Sequence, residues 1–193
     1  MEIGRKSDKG PRRKFGPFHY FRALELICAS GRIGRARLAE ELGIGEGSMR
    51  TVLDELESRT LIERDNSGIS ATTGGKRVVS SSPVRMAPIS NCSLSLAGHS
   101  SVAVVRGASK RVTNGILQRD EAVRNEGTGA TTLIVKNGSL CIPPEMKQVR
   151  DAELEKTVFA TLHAADGDAV VVGSGRTAFL SDIAVFAAAV TLS

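Results

Sequence analysis

No apolar run in this 193-residue sequence reaches the roughly 20 residues that a membrane span needs. The apolar stretch Ala184–Leu192 is too short, and Asp182 stands just before it. The N-terminus is basic and carries no apolar segment, so a signal peptide is not expected. Cysteine is scarce: Cys28, Cys92 and Cys141 are isolated, odd in number and without metal-ligand spacing. That pattern fits a reducing cytoplasm and argues against a disulfide scaffold or a zinc site. His19, His99 and His163 stand apart from acid or nucleophile motifs, and GxSxG, HExxH and paired-carboxylate signatures are missing. The expectation is a cytoplasmic protein that is not an enzyme, holds no metal and no cofactor, and does not partner a membrane.

What is present is charge, unevenly placed. Residues 1–85 carry 16 Lys and Arg against 11 Asp and Glu, an excess of +5, whereas residues 86–193 carry 10 of each. Arg5, Lys6, Lys9, Arg12, Arg13 and Lys14 make residues 1–16 a basic tail. Such a tail neutralises phosphates or lies in a minor groove, or it merely solubilises a terminus.

Helical periodicity follows the tail. Pro17 suits a first helical position and Gly31 a C-terminal cap, with Phe18, Phe21, Leu24 and Cys28 at helical spacing between them. Tyr20 and Ile27 lie alongside, and this cluster reads as core rather than as a stacking platform for bases. A second helix over about 35–42 places Leu38, Ala39 and Leu42 on one face, and Gly43 permits a tight turn. A third begins near Gly47 or Ser48, with Met49, Val52, Leu53 and Leu56 as its buried stripe. Leu61–Arg64 then alternates like a strand, Asp65-Asn66-Ser67-Gly68 is turn chemistry, and Ile69–Ala71 returns. Thr72 or Thr73 can cap one more short helix.

Helix, turn, helix and hairpin in that order form a winged helix-turn-helix, a unit that places its second helix in a DNA major groove. The candidate contacts are Gly47, Ser48, Arg50 and Thr51 on the open side of the third helix. Arg35 and Arg37 on the second helix and Arg64 on the wing complete the set. Small residues allow close approach, Arg50 can reach phosphate or a guanine edge, and the hydroxyls can bond phosphate or base edges. Asp54 and Glu55 repel phosphates, so contact is confined to the N-terminal half, where backbone N–H groups also favour anions. Asp54 can instead pair with Arg50 one turn earlier.

The stretch LGIGEGSMRTVLDELESRTLIERDNSGISATTGGKRVV resembles the winged-helix domains of prokaryotic, especially archaeal, transcriptional regulators over roughly residues 17–80. Two departures stand out: Gly34 replaces a frequent Ser or Thr cap, and Arg59-Thr60 stands where a Gly often precedes the leucine. The resemblance implies binding to double-stranded DNA.

Residues 83–91, with Pro83 and Pro88, read as a linker after a winged-helix domain over 17–82. Residues 92–193 alternate strands and helices: strands at 93–96, 101–106, 130–136, 139–142 and 168–172, and helices over about 112–123, 151–163 and 176–192. Asn137-Gly138 marks a hairpin. Setting the first strand aside, the order is βαββαβ plus a helix, so the fold class is α+β, a winged helix followed by an α/β sandwich of ferredoxin-like order. Arg106–Val123, Gly129–Leu133 and the segment DGDAVVVGSG also resemble an uncharacterised domain attached to archaeal winged-helix regulators.

Two glycine-bearing turns after strands could cradle an anion with backbone N–H groups. Arg106, Gly107 and Lys110 belong to one, and Gly173, Ser174, Gly175 and Arg176 to the other. Neither matches a Walker or dinucleotide fingerprint, and ordinary connecting turns are the plainer reading. If the turns meet, they form a site for a small anionic effector. The overall expectation is a homodimeric DNA-binding transcriptional regulator whose second domain senses a ligand, dimerises, or both. An enzyme domain fused to an autoregulatory winged helix, or a protein-interaction module, are the competing classes.

Overall fold

The computed structural model describes residues 15–193, and the chain divides into two compact units after Ser82. The basic residues of the tail up to Lys14 lie outside the described residues.

In the first unit, α1 (Pro17–Ser30), α2 (Arg35–Glu41) and α3 (Glu46–Ser58) precede a hairpin of β1 (Ile62–Asp65) and β2 (Gly68–Ala71), closed by α4 (Thr73–Ser80). Proline opens α1, and the Gly16 N–H donates to Nδ1 of His19 at 3.0 Å. Burial pushes the His19 imidazole below its ordinary pKa, which keeps it neutral as this acceptor role requires. Gly34 caps α2 and Gly45 caps α3, neither with a side-chain acceptor, while Thr72 caps α4 by accepting from Gly75 N–H at 3.0 Å. Leu24, Ile27, Leu38, Met49, Leu53 and Leu56 are almost fully buried in one apolar core, as their helical spacing requires. Ile33 and Ile69 exchange backbone hydrogen bonds of 3.1 and 3.0 Å, so the segment before α2 is stitched to the wing.

The second unit is an antiparallel six-stranded sheet with helices on both faces. Its strands are β3 (Val84–Ile89), β4 (His99–Val105), β5 (Gly129–Lys136), β6 (Ser139–Ile142), β7 (Lys147–Val149) and β8 (Ala169–Gly175), in the order β3-β4-β8-β5-β6-β7. Its helices are α5 (Ile116–Arg124), α6 (Ala152–Glu155), continued by a π-helical turn over Lys156–Thr161, and α7 (Ala178–Val190). Strand alternation sorts the core. Ala103, Val105, Ala169 and Val171 face Ala184, Val185 and Ala188 of α7 and Ala122 of α5, whereas Val102, Val104, Val170 and Val172 face Leu154 and Val158.

Three expectations need correction. The segment 93–96 is not a strand; the extra strand is β3, inside the stretch read as a linker. Pro88 is tolerated there because β3 is an edge strand and the missing N–H leaves no central ladder incomplete. The α+β class holds, but the ferredoxin-like order does not. That order would insert the second hairpin strand, β6, between β4 and β5; here β8 lies between them. The reason is composition: every residue of β8 is buried, so it needs a partner on each edge and a layer on each face. The Asn137-Gly138 hairpin stands as read, with φ of 51° and 67° at its two central residues. Among the described residues, no helix is long and apolar enough to cross a membrane.

Candidate nucleic-acid interface

The open face of α3 is built by subtraction. Met49, Val52, Leu53 and Leu56 turn inward, which leaves Gly47, Arg50, Thr51 and Asp54 exposed and Ser48 half-buried. Among the described residues Arg50 makes no ion pair, so its guanidinium is available to an incoming phosphate or base edge. It does not pair with Asp54. The Thr51 hydroxyl lies 3.4 Å from the Gly47 carbonyl one turn back, a long contact that a better acceptor can displace.

The C-terminal half of the same face is acidic, and the wing neutralises it. Arg50, Asp54 and Glu57 follow one another along one line of the helix at i, i+4 and i+7. Arg64 of β1 reaches across to this line, donating to Asp54 at 2.9 Å and to Glu57. The Arg64 hydrogen bond holds the Glu57 carboxyl below the usual carboxylate range. Arg64, read from sequence as a DNA contact on the wing, clasps the wing to the helix. A second clasp joins the helix starts, where Arg35 donates to Glu46 at 2.8 Å through Nη2. Arg32 grips both Asp65 oxygens at 2.7 and 2.8 Å and so fixes the hairpin's turn end. Arg37 is strongly exposed and 3.9 Å from Glu41. Asp54, Glu57 and Glu46 are therefore the partners that sequence reading missed. Only the acidity of α3 hinted at them, because the pairs join residues on different elements.

A prediction follows from the Arg64 clasp. Removing its acidic partners with Asp54→Asn plus Glu57→Gln is expected to free Arg64 for phosphate and to lessen repulsion. Affinity for all duplex sequences should then rise together, and the salt slope should steepen by about 1. Titrating labelled duplexes at several salt concentrations checks this; unchanged affinity and slope would place Arg64 away from the DNA.

The two glycine turns of the second unit do not form a shared site. In the β4–β8 ladder Val105 pairs with Ala169 and His99 with Gly175. Arg106, Gly107 and Lys110 therefore follow one end of this pair, and Arg176 leaves the other, a strand length of about 20 Å away. The Gly107 N–H, a proposed anion donor, already donates to the Asp168 carboxylate at 2.8 Å, which also accepts from Ala165 N–H at 2.9 Å. A resident carboxylate fills that cradle. Gly173, Ser174 and Gly175 are not a turn at all but buried strand residues. A Cβ on Gly173 would lie 2.7 Å from the Val185 nitrogen, and one on Gly175 2.5 Å from the Ser181 nitrogen. These glycines let α7 lie close on the sheet. The Ser174 hydroxyl accepts from Leu96 N–H at 3.0 Å and bonds Ser100 at 2.9 Å. Arg106 and Lys110 are exposed at one end of this ladder and Arg176 at the other.

The three cysteines are free. Burial raises the thiol pKa of Cys28 and of Cys92.

Residues 96–192 match a family described as a domain of unknown function, DUF4443; the match covers half of the chain, and the chain belongs to that family. Residues 19–86 match the CggR N-terminal DNA-binding domain, so the first unit is a winged helix of DNA-binding type. A hypothetical protein from Pyrococcus horikoshii OT3 shares the fold, with 23% identity, a TM-score of 0.71 and 93% of each chain covered. A hypothetical protein from Sulfolobus solfataricus is 25% identical over 32% of this chain and 49% of its own, with a TM-score of 0.29. No curated protein matches the chain.

Proposed function

For a chain of the DUF4443 family that carries a DNA-binding winged helix ahead of that domain, we propose a transcriptional regulator that works by binding rather than by turnover. The N-terminal half of α3 enters the major groove. Gly47 gives close approach, Arg50 reads a base edge or holds a phosphate, and Ser48 and Thr51 bond the backbone or base edges. Arg35 and Arg64 hold α2, α3 and the wing in register through their ion pairs. The second domain joins two copies, so that two winged helices meet paired half-sites.

The observation that carries this reading is the split character of the α3 face: an arginine without an ion pair among the described residues beside small residues in its first half, and acids clasped by the wing in its second. A surface used only for protein contacts has no need of that division. Selection of bound sites from a pool of random duplexes tests it. The expected result is an enriched sequence with two-fold symmetry; a pool that shows no enrichment after repeated rounds would refute sequence-specific regulation.

A further inference from the structure

Arg50 stands between two carboxylates of its own helix. Glu46 lies one turn before it and Asp54 one turn after, at i−4 and i+4, the spacing at which opposite charges on a helix meet. Elsewhere in this domain such neighbours do pair. Arg59 meets Glu55 at 2.8 Å, Arg37 meets Glu41 at 3.9 Å, and Arg22 meets Glu25, three residues on, at 3.1 Å. Arg50 has an acid on each side and, among the described residues, an ion pair with neither. Both acids are engaged from other elements. Arg35 of α2 donates to one Glu46 oxygen, through Nε at 3.2 Å and Nη2 at 2.8 Å. Arg64 of β1 donates to Asp54 at 2.9 Å and also holds Glu57.

We propose that Arg35 and Arg64 are positioning residues for DNA recognition: by occupying Glu46 and Asp54 they keep the Arg50 guanidinium free to read a base edge. The proposal rests on the regulator reading above and gives the two clasps a task that requires no contact of their own with DNA. Other tasks would leave different traces. An arginine that holds a phosphate loses affinity on every duplex when it is removed, whatever becomes of its acid. An arginine that only braces the fold loses stability. One that guards Arg50 loses discrimination between duplexes, and removing the guarded acid restores it. Glu46 is the stronger competitor for Arg50, because an acid four residues before its cation pairs better than one four residues after. The two i,i+4 pairs above follow this order, with Glu55 before Arg59 the closer and Glu41 after Arg37 the longer. Arg35 therefore matters more than Arg64. Exposed helical pairs are weak, so each guard is worth about twofold in the ratio of affinities for selected and random duplex, and both together about fourfold.

Titration of the full chain with selected and random duplexes tests this, together with hydrogen exchange of the Arg50 Nε–H in the free protein. Arg35→Gln with Arg64→Gln is expected to lower the selected-to-random ratio about fourfold. It should also slow exchange at Arg50, whose guanidinium then lies against Glu46 and Asp54. Adding Glu46→Gln and Asp54→Asn should return both readouts to their wild-type values, although both guards are still missing. In an Arg50→Ala background, loss of the guards should leave the ratio unchanged, because they act through that one residue. Melting should shift little in any variant, since these residues are all exposed. A ratio and an exchange rate that ignore the loss of both guards would overturn the proposal. So would a lost ratio that removal of the acids fails to recover, which would make Arg35 and Arg64 DNA contacts themselves. Exchange is measured without DNA, so the two readings fail separately. Slowed and rescued exchange in a chain that binds no duplex removes the regulator reading and leaves Arg50 guarded. Sequence-specific binding with an exchange rate that never responds removes the guard alone.

Discussion

Replacing Gly173 by alanine is expected to cost the second domain about 3 kcal/mol, at the upper end for overpacking a well-filled core. The added methyl would meet the backbone nitrogen of Val185 at 2.7 Å and its Cα at 2.8 Å. These are main-chain atoms in the middle of α7, so no rotamer change can yield; the helix must lift from the sheet or the strand must bend. The small residues opposite, Ala184 and Ala188, form a closely packed layer that would open with it. Thermal or denaturant unfolding, with amide exchange in β8 and α7 as the local readout, measures the effect. Gly98→Ala is the control: its methyl meets nothing within 4 Å, and a change within about 0.5 kcal/mol is expected. If Gly173→Ala proved as mild as Gly98→Ala, the close approach of α7 would not be what these glycines serve.

The second large effect is on binding. Arg50→Ala is expected to cost about 1–3 kcal/mol on the selected duplex and less on random sequence, if Arg50 reads a base edge. The fold should be unaffected, because Arg50 is exposed and makes no ion pair among the described residues. Equal losses on both duplexes would make Arg50 a phosphate contact. No loss on either would mean that another face of α3 meets the DNA.

The winged helix was legible because its signals are local. Apolar residues at three- and four-residue spacing gave the helices, Asp65 to Gly68 gave the hairpin, and Thr72 gave a cap. The clasps were not legible, since Arg64 lies ten residues from Asp54 and thirty-three separate Arg32 from Asp65. In the second domain the elements could be read but not the order of strands, which depends on long-range pairing. Glycine misled most. In Gly173-Ser174-Gly175 the residue that permits a turn is the same residue that permits a helix to touch a strand, and only the position of Val185 decides between them. Proline misled once, because Pro88 marks a linker and an edge strand alike.

The central claim is that this chain binds duplex DNA through its winged-helix domain and the basic tail before it, and the salt dependence of that binding tests it most directly. The whole excess of +5 lies in residues 1–85. If about five phosphates are neutralised, log K should fall against log salt with a slope near −4 to −5. A flat response, or no duplex binding at low salt, would contradict the account.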